Sequence, residues 1–454
     1  MNNSLEGSTK DFSKSFRWIV LILISVVIGT NYYVYDALSS IKSVLQAQLD
    51  ISSTDYGLIV SFYSFPNTFL LMAVIGGIIL DKWGIKKTGL MFVSFCVAGA
   101  GITAYGASDA FAAGGLGYDL FSSFLPEYSP ELKMMFLGRL LFGLGAETSI
   151  IVINKVIVKW FKGKELALAF AINVAIARFG TAAALILSPE LVGGPNNVGN
   201  AIWLATILMG IGLVFFFIYS VVDSKKVEIA KSSEDDFKFS DVFSLIFNWP
   251  FVYIVLLCVT FYSAVFPFQA YCPDMLHNKF GVSLEWSGRL TSLIIWGTIL
   301  FTPIFGWFVD KRGKRATMMI YGSLLLLVAH LSLALTDLTP FVSMFILGVA
   351  FSLVPAAMWP SVALIVEEKK LGTAYGVMTS VQNVGLWGFP ILAGLILDAT
   401  NPGVTPKMIE EGVANYDYTY TMIMFAGLGL LGLFFAFMLK TVDKGKGGYG
   451  LDQP

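Results

Sequence analysis

The stretches GIILDKWGIK (residues 77–86) and GWFVDKRGKR (306–315) share one pattern, G-x-x-x-D-K-x-G-x-[KR]. In each, a glycine precedes the aspartate by four residues, so Gly77 with Asp81, and Gly306 with Asp310, fall on one helical face. Glycine admits a neighbouring helix closely. The carboxylate can then face a helix N-terminus or a base such as Lys86, Lys87 or Arg315. The plainer reading of either copy is a tight basic turn that fixes topology. Thr30-x-Tyr32 and Thr260-x-Tyr262 repeat at nearly the same offset within their halves. Two motifs recurring at equivalent places predict a chain built from two equivalent halves.

Around both copies the sequence is apolar. Of 454 residues, 56% are hydrophobic and 13% charged, more apolar surface than a soluble domain can hide, which predicts an all-α membrane protein with many spans. Windows long enough to cross a bilayer core fall near 16–41, 55–80, 88–107, 132–160, 164–188 and 199–222. They resume near 249–272, 285–309, 315–336, 340–366, 372–397 and 419–441. The expected organisation is a tail (1–15), a six-helix bundle (16–222), a polar loop (223–248), a second six-helix bundle (249–441) and a closing tail (442–454). The first apolar stretch lacks a small-residue cleavage site and reads as a retained helix rather than a signal peptide.

Loop charges set the orientation. Lys82, Lys86, Lys87, Lys159, Lys162 and Lys164 share one side, and alternation adds Lys225, Lys226, Lys311, Arg312, Lys314, Arg315, Lys369 and Lys370. The opposite loops, such as SDAFAAGGLGYD (108–119), hold mainly Asp, Glu, Asn and Gly. Both termini are therefore expected in the cytoplasm. Cys96, Cys258 and Cys272 have no metal-ligand spacing, and His277 and His330 do not cluster, so neither metal, cofactor nor thiol chemistry is expected. Cys258 and Cys272, on one helix, are roughly 21 Å apart and cannot bridge. No basic cluster with interleaved aromatics suggests nucleic acid. The partners implied are the bilayer and a small-molecule substrate, with the chain acting as a monomer.

Charge inside the apolar windows points to the site. Glu147 lies thirteen residues before Trp160 and Arg178 fourteen residues after Lys164, so both sit roughly 20 Å from the same membrane face. An ionised side chain at that depth costs at least about 2.5–3.5 kcal/mol and normally faces a cavity or a partner. The two could pair with each other, or hold the two ends of a zwitterion. Arg139, Gly143, Gly145 and Glu147 form R-x-x-x-G-x-G-x-E on one helix. Aligning Ala169–Ala171 with Ala374–Gly376 pairs Arg178 with Asn383 in the other half, beside Thr379, Ser380 and Gln382. Tyr32, Tyr63, Asn67, Tyr262 and Trp359 are further candidates for the cavity wall, whereas Tyr33, Tyr35 and Phe266 read as packing. Lys155, about one turn from the end of its helix, is expected to snorkel, whereas a cavity-facing Lys155 would disfavour cationic ligands. Pro66, Pro267, Pro303, Pro355, Pro360 and Pro390 predict bends.

The duplicated G-x-x-x-D-K-x-G-x-[KR] motif resembles the signature of the major facilitator superfamily. That resemblance implies two pseudo-symmetric six-helix bundles, a central site and rocker-switch alternating access. It also implies that Asp81, Lys86, Asp310 and Arg315 form a latch favouring the outward-facing state, and that Arg139 matches an arginine sometimes tied to proton coupling. Longer segments resemble one branch, the lysosomal dipeptide transporters (major facilitator superfamily domain-containing protein 1). These are YDALSSIKSVLQ (35–46), FYSFPN (62–67), GAETSIIVINKVIVKWFKGKELALAF (145–170) with NVAIARFG, FPFQAY (266–271), MWPSVALIVEEKKLGTAYGVMTSVQNVGL (358–386) and GLILD (394–398). The branch implies facilitated dipeptide movement without proton coupling and a preference for cationic dipeptides. Glu147 would take the peptide amino group, Arg178 its carboxylate, with Trp359 and Tyr262 framing the site. Ala37 and Leu38 stand where the branch has Asn-Pro. The compartment implied is the lysosomal membrane in a eukaryote and the cell membrane in a prokaryote.

The function expected is thus a secondary carrier, not an enzyme, since no nucleophile–base or metal constellation is present. The alternative substrate is a small organic anion of the monocarboxylate or oxalate type, exchanged by an antiporter. There Arg178 would hold the anion and Glu147 would be a structural or proton-linked group of a symporter.

Overall fold

The computed structural model describes residues 14–192, 198–223, 244–444 and 448–453. The expected N-terminal tail and the loop between the bundles, with Lys225 and Lys226, fall almost wholly outside them. Apart from the connecting turns, the described residues are helical. α1 (Lys14–Asp36) is continued by a 3-10 turn (Ser39–Ile41) and α2 (Lys42–Leu49). There follow α3 (Ser53–Ser61), α4 (Phe65–Phe69), α5 (Met72–Gly106), the short α6 (Asp109–Ala112) and α7 (Tyr118–Ser122), α8 (Pro130–Phe161), α9 (Leu166–Leu191) and α10 (Val198–Asp223). The second half holds α11 (Trp249–Phe280), α12 (Leu284–Arg312), α13 (Arg315–Leu335), α14 (Pro340–Ile365), α15 (Leu371–Thr400), the short α16 (Pro406–Glu410) and α17 (Thr419–Asp443).

Eleven of the described helical segments are long and apolar enough to cross a membrane. The expected span at 55–80 differs: it is broken into α3, α4 and the start of α5. Pro66 opens α4, and Leu71 adopts the left-handed region (φ 51°), interrupting the helix just before α5. Asn67 spans that break, its Oδ1 accepting the Ala73 N–H at 2.9 Å. α5 then runs through the first motif copy, where Gly84 (φ 76°) turns the chain into the next span. Gly313 (φ 63°) occupies the matching place in the second copy. Both turns need a positive φ, which glycine takes without steric cost.

The halves repeat in their packing as well as their sequence. A methyl on Gly180 would lie 2.0 Å from the Gly29 carbonyl, and one on Gly385 would lie 2.0 Å from Ser263 Oγ and 2.8 Å from Val259. Gly29 and Val259 each precede the threonine of the T-x-Y repeat. So α9 seats on α1, and α15 on α11, through equivalent glycines.

Away from the basic loops, the two halves meet along a tight seam: α3 against α15, α9 against α12, and the turn before α2 against α11. Asp398 caps α3 across this seam, accepting from Ser53 N (3.0 Å), Thr54 N (2.8 Å) and Thr54 Oγ1 (2.6 Å). Glu190 and Arg289 pair across it at 2.6 Å. A Cβ on Gly57 would lie 2.4 Å from the Pro390 carbonyl. Gly57→Ala is therefore expected to wedge the seam open, read as a longer distance between spin labels at positions 190 and 289. Gly210→Ala, whose methyl meets nothing within 4 Å, should leave that distance unchanged.

At the basic end, Asp81 pairs with Lys155 of α8, within its own half. Lys155 thus has a carboxylate partner rather than simply snorkelling. Asp310 is exposed. Arg315 is engaged by the chain's own tail, its N–H donating to the Leu451 carbonyl (2.9 Å), while Asp452 accepts from Thr317 N (3.0 Å) and Oγ1 (2.7 Å).

Candidate functional site: a cavity between the halves

Close helix packing places Glu147. A Cβ on Gly143 would lie 2.0 Å from the Tyr63 carbonyl and one on Gly145 would lie 2.5 Å from that of Phe92, so α8 presses against the broken span and α5. One helical turn beyond Gly143, the Glu147 carboxylate accepts from Tyr63 Oη (3.2 Å) and from Asn67 Nδ2 (3.3 Å). The break in the span is thus part of the site: Asn67 closes the gap with its oxygen and serves Glu147 with its nitrogen.

Glu147 faces a cavity of about 420 Å³ between the halves. Tyr32, Tyr63, Trp359, Gln382 and Asn383, all expected on the wall, line it. Tyr35 and Phe266 also line it, although the sequence reads them as packing; Tyr33 is buried. Asn31, Ile150, Asn154 and Leu386 line it too and escape the sequence reading. Asn154 follows Glu147 by seven residues, two turns along the same face, so helical periodicity alone points to it. The lining reaches Asn154 and Thr379 toward the basic end, away from the sealed seam.

Arg178 lies one layer behind this wall. Its guanidinium sits 5.9 Å from the Tyr32 ring, 5.8 Å from Phe266 and 4.8 Å from Phe351, a cation–π nest. Its Nη1 is buried with no hydrogen-bond partner among the described residues. Arg178 and Glu147 form no ion pair with each other. Tyr32 is within electrostatic reach of both. Two unlike charges held near one space without neutralising each other are costly in an apolar interior, and a ligand with both charges relieves that cost.

Tyr262 stands behind Trp359, accepting its indole N–H at 2.9 Å, and stacks on Phe266 with ring centres 5.6 Å apart. Tyr375 Oη donates to the Trp359 carbonyl at 3.2 Å. Asn383 donates to the Thr379 carbonyl at 3.0 Å, and its Oδ1 is left without a partner among the described residues. Arg139 is buried away from the wall, donating to the carbonyls of Ile59 (3.3 Å), Val34 (3.3 Å) and Tyr35 (3.4 Å). It ties α8 to α1 and α3.

Two halves related by a repeated motif, with a central cavity between them, are what the superfamily resemblance implies. Residues 21–294 and 270–450 each match the Major Facilitator Superfamily.

The chain belongs to the major facilitator superfamily.

It is a multi-pass membrane transporter of that superfamily, not an enzyme. The chain is 31% identical over 397 residues to the lysosomal dipeptide transporter MFSD1 of Mus musculus, covering 84% of this chain and 80% of that protein. The Homo sapiens protein of the same name is 29% identical over 446 residues, covering 95% and 87%. Among solved structures, a mutant form of the nucleoside transporter NupG superposes with a TM-score of 0.72 at 16% identity, covering 92% of this chain and 99% of that one. Beside this cavity, Tyr262→Phe removes the acceptor of the Trp359 indole. The change is expected to cost about 1 kcal/mol, read as a several-fold higher KM for uptake at unchanged maximal rate.

Proposed function

We propose that this chain carries dipeptides, or small zwitterions like them, by alternating access of two bundles, residues 16–222 and 249–441. The observation that carries the reading is that Glu147 on the cavity wall and Arg178, one layer behind it, form no ion pair with each other. Glu147 takes the substrate ammonium, and Arg178 takes the carboxylate from behind the rings of Tyr32 and Phe266. Gln382, Asn383 and Trp359 frame the peptide from the other half, so a bound substrate touches both halves. The named relatives, dipeptide transporters, support the same substrate class. The basic loops support a cytoplasmic position for the open end, and on this reading Asp81, Lys86, Asp310 and Arg315 act as latch residues when that end closes.

The test is uptake of a labelled dipeptide into proteoliposomes, with and without a pH gradient. Saturable uptake insensitive to the gradient supports a facilitator. Uptake driven by the gradient keeps the substrate and recasts Glu147 as a proton site. Inhibition by monocarboxylates but not by dipeptides would replace this reading with an organic-anion carrier.

A further inference from the structure

Resting on the dipeptide reading, we infer that Asn67 and Leu71 form a hinge coupling occupancy of Glu147 to closure of the basic end. Asn67 is fully buried and absent from the cavity lining, so a ligand acts on it only through Glu147. Both ends of its amide are used. Oδ1 accepts the Ala73 N–H at 2.9 Å, one of the amides that the first turn of α5 leaves without a helical acceptor. Leu71, at the head of α5, supplies no side-chain cap of its own. Nδ2 donates to the Glu147 carboxylate at 3.3 Å, a bond strengthened by the negative charge.

The break that Asn67 holds is the strained part of the span. Leu71 sits at φ 51° and ψ 44°, a region disfavoured for any residue with a Cβ. Strain of this kind persists only where its surroundings impose it, and it gathers at switches. Phe69, Leu70 and Leu71 are exposed, so little packing resists a change there. Phe69 also touches the other half through Trp387, with ring centres 5.0 Å apart. From the break, α5 runs to Asp81, ten residues or roughly 15 Å on. A dipeptide ammonium on Glu147 neutralises the charge that strengthens the Asn67 bond. The Ala73 cap then loosens, Leu71 relaxes toward right-handed helix, and α5 carries Asp81 toward the second half.

The experiment measures binding of labelled alanyl-alanine to the full chain in lipid nanodiscs. In parallel it measures the distance between spin labels at exposed positions 82 and 368, one in each half. In the unaltered protein the dipeptide is expected to shorten that distance. Coupling is reciprocal, so a change that favours the break must also weaken binding. Leu71→Gly, which takes a positive φ without strain, should keep the distance long and weaken alanyl-alanine about fivefold. Leu71→Val, whose branched side chain tolerates that φ poorly, should shorten the ligand-free distance and tighten binding. Asn67→Ala should shorten the ligand-free distance too, and adding Leu71→Gly should bring the long distance back. Leu71 variants that leave affinity and distance unchanged overturn the hinge, as does a dipeptide that binds without moving the labels. Absence of alanyl-alanine binding to the folded protein overturns the dipeptide reading, while the ligand-free distances still decide whether Asn67 and Leu71 set the break.

Discussion

Asp274→Asn is expected to open the sealed end of the molecule. The side chains of Lys42 and Asp274 are both fully buried, with Nζ and Oδ2 2.6 Å apart, on opposite sides of the seam between the halves. Lys42 also donates to Gln46 Oε1 at 2.6 Å, and Asp274 accepts from Tyr418 Oη and, at 3.1 Å, from Asn278 Nδ2. The rings of Tyr56, Tyr271, Tyr416 and Tyr418 surround the ammonium at 5.2–5.9 Å. Such a pair is stable only when complete: removing one partner strands a buried charge at a cost of about 3–5 kcal/mol. Unlike a core charge, Lys42 can escape that cost if the halves separate and water reaches it. At ~1.4 kcal/mol per tenfold, the balance between sealed and open ends moves at least about a hundredfold. Spin labels at positions 190 and 289 should report a longer distance, and uptake should fall. The double change Lys42→Met with Asp274→Leu restores a dry, neutral seam and should bring the short distance back. An unchanged distance in Asp274→Asn, with uptake retained, would mean that the pair does not hold the seam.

That pair also shows where sequence reading stops. Lys42 stands in the quoted segment 35–46, yet nothing local links it to a residue 232 positions away. Only the packing of α2 against α11 brings them together. By contrast, the two-half architecture is legible because glycine has few reasons to recur at matched offsets: Gly84 with Gly313 make the turns, and Gly180 with Gly385 make the helix contacts. Glu147 and Arg178 stand out because charge in an apolar helix is expensive, a signal that needs no partner to be seen. Neutral wall residues such as Asn31 and Leu386 carry no comparable signal. Tyr35 and Phe266 mislead for the same reason, since an aromatic ring is equally at home in a core or on a cavity wall. The broken second span lies between these cases: Pro66 announces a bend, but the left-handed Leu71 and the bridging role of Asn67 follow from tertiary contacts.

Glu147→Gln should lower kcat/KM for dipeptide uptake by about a hundredfold or more, and the loss should depend on the substrate's amino group. Glutamine keeps the shape and an acceptor oxygen for Tyr63, so one of the two hydrogen bonds seen in this structure is preserved, while Asn67 Nδ2 loses its acceptor. What also disappears is the charge. Truncating one side of a buried, hydrogen-bonded charge pair costs about 2–5 kcal/mol, and ~2.7 kcal/mol is a hundredfold. If the carboxylate meets the ammonium, an N-acetylated dipeptide should be a poor substrate of the unaltered protein and suffer no further loss in Glu147→Gln. Arg178→Gln should show the converse pattern, losing the preference for a free carboxylate over a C-terminal amide while still discriminating against N-acetylation. Each pairing of variant and blocked substrate closes a thermodynamic cycle that isolates one contact. Equal losses for free and acetylated substrates in Glu147→Gln would show that Glu147 acts by holding Tyr63 and Asn67 in place, not by touching the peptide. Crossed patterns would place the two ends of the substrate at opposite sides of the cavity, ammonium toward α8 and carboxylate toward α9.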